Sequence, residues 1–162
     1  MKIEKAIEIA EELQALMHSE AEKTQEGILH IRQLDLEAIQ ARAVAREAFN
    51  ETAGQLEEDL MTAMESAGQE AQLAQTTLDA LKVAYPAHGP VLAEKVRGIQ
   101  SQASRIKQLD AFTQVLMKKA LVFAQSYMDC LNPPSVVYDK KGNMRQKASA
   151  PMRSVVNVSR RA

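Results

Sequence analysis

The chain has 162 residues, enough for one domain whose helices pack along their lengths. Three Phe, three Tyr and no Trp require an aliphatic core, and the single cysteine, Cys130, excludes an internal disulfide and a cysteine-built zinc site. The formal net charge of −1 argues against nucleic acid as the main ligand, but it is unevenly spread: residues 1–131 carry 13 Lys/Arg against 20 Asp/Glu, whereas residues 132–162 carry 7 Lys/Arg against one acid, Asp139.

In chain order, the first segment places apolar or small residues at Ile3, Ile7, Ala10, Leu13, Met17, Ala21, Thr24, Ile28, Ile31 and Leu34. Steps of three and four mark one buried helical stripe, with Glu and Lys on the other faces. Asp35 is a candidate N-cap for a second helix opening at Leu36-Glu37-Ala38-Ile39. The stripe nearly keeps its phase across this point, so a tight turn and a continuous helix both remain open. The second segment, about 36–66, predicts burial at Ile39, Ala43, Arg46 or Ala45, Phe49, Ala53, Leu56, Leu60 and Met64. A softer region, Ser66-Ala67-Gly68-Gln69, follows. A short helix with a threonine cap is expected near Thr76-Thr77-Leu78, ending at the breaker Tyr85-Pro86-Ala87-His88-Gly89-Pro90.

The longest helix is predicted over Val91 to Leu131. Its stripe reads Leu92, Val96, Ile99, Ala103, Ile106, Leu109, Phe112, Leu116, Ala120, Phe123, Tyr127 and Cys130, close to a coiled-coil period. A second apolar edge at Val115, Leu121, Val122, Met128 and Leu131 broadens this face towards the C-terminal end. The broad face fits either bundle core or a surface left open for a partner helix. The fold class expected is all-α: a long antiparallel helical bundle or coiled-coil hairpin over residues 1–131, with an irregular basic C-terminal tail.

Residues 132–162 are expected to form a flexible arm. Burying their eight larger apolar side chains would yield roughly 12–24 kcal/mol. Ordering the backbone would cost roughly 30–60 kcal/mol, so the segment does not order itself. Asp139-Lys140-Lys141-Gly142-Asn143 reads as a turn, and Ser154-Val155-Val156-Asn157-Val158-Ser159 has strand-like composition.

No catalytic constellation is present. His18, His30 and His88 lack the Glu-x-x-His spacing of a helical di-iron site, and there is neither a phosphate loop nor a nucleophile elbow. The acids read as solvated helix faces and Cys130 as a small packing residue. No enzymatic activity, cofactor or metal is expected. The opening Met1-Lys2-Ile3-Glu4-Lys5 predicts no secretion signal, and no run of about 18 apolar residues predicts a membrane span.

A long last helix, a break at Asn132-Pro133-Pro134 and then Tyr138-Asp139-Lys140-Lys141-Gly142 resembles the FlgN-type flagellar export chaperones. That family carries a Tyr-x-x-x-Gly motif at the start of its tail. Leu34-Asp35-Leu36-Glu37-Ala38-Ile39 is similar to the family's first helix junction. The chain departs from the family at Asp110 and Thr113, where members often carry two asparagines. The resemblance implies a cytoplasmic chaperone that binds hook-associated (hook–filament junction) proteins, prevents their premature assembly and delivers them to the export gate. It places client binding on the edge Leu116, Ala120, Phe123, Tyr127 and Leu131 together with the tail, and export-gate docking on Tyr138. The near-neutral charge predicts no nucleic-acid ligand, and the lack of a long apolar run predicts no stable membrane insertion; a homo-oligomer stays open. The alternative is a structural or adaptor coiled coil that only oligomerises. A third reading, a nucleic-acid or anionic-membrane binder acting through the basic arm, lacks aromatic interleaving beyond Tyr138.

Overall fold

The computed structural model describes residues 1–131 and the backbone of residues 136–138 and 144–146. Four helices follow one another: α1 (Lys2–Gln33), α2 (Leu36–Glu70), α3 (Leu78–Ala84) and α4 (Gly89–Leu131). At 1.5 Å per residue, α4 is about 65 Å long. The all-α architecture follows directly from the 3.6-residue apolar periodicity. The chain divides into two compact units, Met1–Ala120 and Leu121–Ala162, with the boundary inside α4.

In the first unit, α1 and α2 form an antiparallel hairpin joined by only Leu34 and Asp35. Two features make the junction a turn. Leu34 adopts the left-handed conformation (φ 55°), with its N–H donating to the Ile31 carbonyl at 3.2 Å and the Asp35 N–H donating to the His30 carbonyl at 3.0 Å. This is Schellman pairing, which satisfies two carbonyls at the end of α1. Asp35 then caps α2 by accepting from the Ala38 N–H at 3.0 Å. Leu34, expected to continue the buried stripe, is exposed because the turn swings it outward. At the hairpin's other end the Lys2 N–H donates to Glu70 Oε2 at 3.1 Å.

The Ser66–Gln69 region does not soften the helix; α2 runs on to Glu70. Gly68 serves packing, since a Cβ there would lie 2.1 Å from Thr76 Oγ1. Thr77 caps α3 by accepting from the Ala80 N–H at 3.1 Å. The Tyr85 hydroxyl donates to the Ala67 carbonyl at 2.9 Å, tying the breaker to the end of α2, and partial burial pushes its phenol above the usual range. α4 opens at Gly89, two residues before the expected start. A Cβ at Gly89 would lie 2.5 Å from the Lys82 Cα, so only glycine allows so close a return past α3.

Cross-helix pairs give the direction of α4. Glu4 lies 3.7 Å from His88, Lys95 pairs with Glu11 at 2.9 Å, and Arg105 donates to Gln25 at 2.9 Å. Both numbers rise together, so α4 runs parallel to α1 and antiparallel to α2. The offset between partners is 84 residues at the first two pairs and 80 at the third. Because α1 ends at Gln33, it runs out beside α4 near residues 113–117.

The core is aliphatic and concentrated at the end where α1 begins. Ile3, Ala6, Ala10, Leu13, Leu81 and Leu92 are fully or almost fully buried. Ala53, Leu60, Ile99 and Ile106 extend it. Phe49, Leu56 and Met64 are half-buried and pack against it. Of the other predicted positions, Ile39 is half-buried outside this cluster, and Ala43 and Ala103 are exposed. Between the two alternatives on α2, Ala45 faces out and Arg46 faces in.

In the second unit, α4 continues to Leu131, and Val136–Tyr138 (β1) pairs antiparallel with Met144–Gln146 (β2) in the register Val136↔Gln146, Val137↔Arg145, Tyr138↔Met144. The segment expected to be irregular thus contains a short ladder. The turn expected at Asp139–Asn143 and the strand-like stretch at Ser154–Ser159 lie outside the described residues.

Candidate functional site

Two features stand apart from the core. The first is a polar cluster inside the Met1–Ala120 unit, where the end of α1, the start of α2 and the middle of α4 meet. Glu20 sits in the α1 stripe between Met17 and Thr24 and is only 3 % exposed. Such a carboxylate is costly to bury unless paired. Arg42 and Arg46, four residues apart and therefore on one face of α2, both donate to Glu20 Oε1, Arg46 at 2.6 Å. Arg46 reaches on to Asp110 of α4, Nη2 to Oδ2 at 2.5 Å, and lies over the Phe49 ring at 5.2 Å. Thr24 Oγ1 donates to the Glu20 carbonyl at 2.8 Å and accepts from Arg42 at 3.0 Å. Two arginines and two acids thus link three helices with charges balanced. Such a network adds little net stability over apolar packing, yet losing one member leaves a buried charge alone. Its physical role is to hold α1, α2 and α4 in one register.

Next to the network is a cavity of about 220 Å³ lined by Gly27, His30, Ile31, Ile39, Arg42, Thr113 and neighbouring residues. Arg42 Nη1, His30 Nδ1 and Thr113 Oγ1 are buried without a hydrogen-bond partner among the described residues. Sequence patterns do not point to this site: acids read as solvated faces, although Glu20 falls on the buried three-and-four spacing and either Arg46 or Ala45 reads as an inward position.

The second feature is the apolar face of α4 after Ile106, the last fully covered position of that helix. In the first unit, Leu109, Leu116 and Ala120 are half-buried while Phe112 and Val115 are exposed. In the second unit, Leu121, Val122, Phe123, Tyr127, Met128, Cys130 and Leu131 are all exposed, Phe123 by 66 %. Isolated exposed apolar residues are ordinary, but a dense run of large ones on a helix marks an interaction surface. Of the residues named for client binding, Leu116 and Ala120 are therefore half-covered and Phe123, Tyr127 and Leu131 are open. Tyr138 ends β1, opposite Met144. Cys130 is exposed and is not the packing residue expected.

Among the described residues, no group of three His, Cys, Asp or Glu side chains is placed to hold a metal ion, and no helix is long and apolar enough to cross a membrane. In comparison with known proteins, the FlgN family model, described as FlgN protein, matches residues 1–146, ending where β2 ends. No curated protein and no solved structure matches the chain.

Proposed function

The chain belongs to the FlgN family, and we propose that it is a cytoplasmic chaperone of flagellar type III export whose clients are hook-associated proteins. Family membership supports the general role of flagellar chaperone. The observation that carries the finer reading is the run of uncovered apolar side chains on α4 in the second unit, Phe123, Tyr127 and Leu131 among them; Leu116 and Ala120 in the first unit are half-covered. Leu116, Ala120, Phe123, Tyr127 and Leu131 follow one another at steps of four, three, four and four, which keeps them on one helical face. Such a face takes an amphipathic client helix. A client covered in this way cannot use the same apolar surface to polymerise, so binding also prevents premature assembly. Tyr138 is the proposed contact with the export gate, following the Tyr-x-x-x-Gly resemblance.

Removing residues 133–162 tests the assignment. The resemblance gives the client the tail as well as this face, so the shortened protein is expected to keep its helical circular dichroism and to lose co-purification with its hook-associated client. Full-affinity binding by the shortened protein would count against the proposal. Tyr138→Ala is expected to bind client normally but to lower its export. Loss of the helical signal in that variant would instead make Tyr138 a packing residue.

A further inference from the structure

One apolar patch in the Met1–Ala120 unit belongs neither to the core nor to the residues assigned to the client above. Leu29 of α1 and Phe112 and Val115 of α4 are each about half exposed. Leu29 and Phe112 line one groove. The offset of 80 to 84 residues between paired positions puts Leu29 level with residues 109–113, so Phe112 stands beside it. Large apolar side chains gathered on two adjacent helices mark an interaction surface. Four charged side chains line the groove, Glu22, Glu26, Arg32 and Arg105, and their charges cancel, so the groove selects neither an acidic nor a basic partner. Glu22 faces His18 at 3.3 Å, and Arg105 donates to Gln25 at 2.9 Å. Glu26 and Arg32 have no ion pair and no side-chain hydrogen bond among the described residues. They stand three residues before and three after Leu29, about 4.5 Å to either side along the helix axis. Opposite charges at equal distances from an apolar centre are what a two-fold contact requires. When two antiparallel copies meet at Leu29, Glu26 of each comes level with Arg32 of the other.

We propose that this face binds a second copy of the chain, in an antiparallel two-fold contact with Leu29 and Phe112 at its centre and two Glu26–Arg32 pairs at its rim. Three half-exposed apolar side chains per copy make a small interface, so the dimer is weak, with a Kd on the order of tens of micromolar. The contact does not depend on the chaperone assignment.

Sedimentation velocity of the full-length protein, from about 5 to about 500 µM, tests it around the expected Kd. A monomer–dimer equilibrium is expected. Leu29→Asp should keep the helical circular dichroism and raise the dimer Kd at least about tenfold. Glu26→Arg and Arg32→Glu should each weaken self-association at least about fivefold, because like charges then meet across the two-fold axis. Mixed in equal amounts, these two variants should associate as tightly as the wild type, since each supplies the charge the other lacks. A folding defect or a contact elsewhere on the molecule does not produce recovery that appears only in the mixture. A monomer over the whole concentration range, an unchanged dimer in Leu29→Asp, or no recovery in the mixture would overturn the proposal. Loss of the dimer in Phe123→Asp/Tyr127→Asp would overturn it by moving the contact to the distal part of α4. Client binding should be unchanged in Leu29→Asp; its loss from a monomeric protein would make this face part of the client site instead. Self-association is read without any client, so failure of the chaperone assignment and failure of the dimer give different results.

Discussion

Gly89–Ile106 and Leu121–Leu131 are two stretches of one helix with the same kind of apolar spacing and opposite surroundings. In the first, Leu92, Ala93, Ile99 and Ile106 are buried; in the second, every residue is exposed. The periodicity of a helix shows which face is apolar but not what lies against it. On α4 the covered stretch has α1 alongside, and the register of their cross-helix pairs shows α1 ending level with residues 113–117. A stretch covered by its own chain contributes stability, and one left uncovered is available to a partner.

The sharpest way to break this comparison is to truncate one large side chain in each stretch. Leu92→Ala, at a fully buried position, is expected to cost about 3–4 kcal/mol in chemical denaturation. Phe123→Ala removes a larger side chain yet should change stability by no more than about 0.5 kcal/mol. Equal losses at the two sites would mean that the distal face is core after all.

Glu20→Ala tests what holds the covered part in register. It leaves Arg42 and Arg46 without their shared acid. Each arginine side chain is about a quarter exposed or less, so each can turn partly to water. The expected cost is about 2–3 kcal/mol, below the range for breaking a fully buried pair. A change under about 0.5 kcal/mol would show that the network contributes nothing to the fold.

A smaller effect separates the hairpin from a continuous helix. Asp35→Ala removes the cap on α2 and should cost about 1 kcal/mol. Of similar size is the contribution of Tyr85, at the covered end. Tyr85→Phe loses one hydrogen bond, about 0.5–1.5 kcal/mol. Because partial burial raises the folded-state pKa of this phenol, its contribution is full below the ordinary phenol range near 10 and is lost as pH rises through the raised value. The wild-type protein should therefore lose stability in that alkaline window, and Tyr85→Phe should lose less of it. An identical alkaline decline in both would assign the effect to other groups.

Much of the helical body was legible in the sequence because its determinants are local. Threes and fours at Ile3, Ala10, Leu13 and Met17, the Asp35 and Thr77 caps and the proline-rich breaker each act within a turn or two. Leu34 shows where local reasoning fails. A leucine in the left-handed conformation is not a usual helix stop, and the hairpin imposes it. The network was hidden for a different reason. Glu20 is buried only because two arginines about a helix length away in sequence reach it, and no local pattern reports such a pairing. The apolar face beyond Ile106 was readable as a face; periodicity alone does not report what covers it.

The account's central claim is that this open face on α4 holds the client. Isothermal titration calorimetry of the Phe123→Asp/Tyr127→Asp double variant against the hook-associated proteins of the same organism tests it most directly. The account predicts wild-type helicity and melting temperature with a Kd raised at least about 100-fold, as expected for charging two aromatic anchors. An unchanged Kd in a normally folded variant would contradict it.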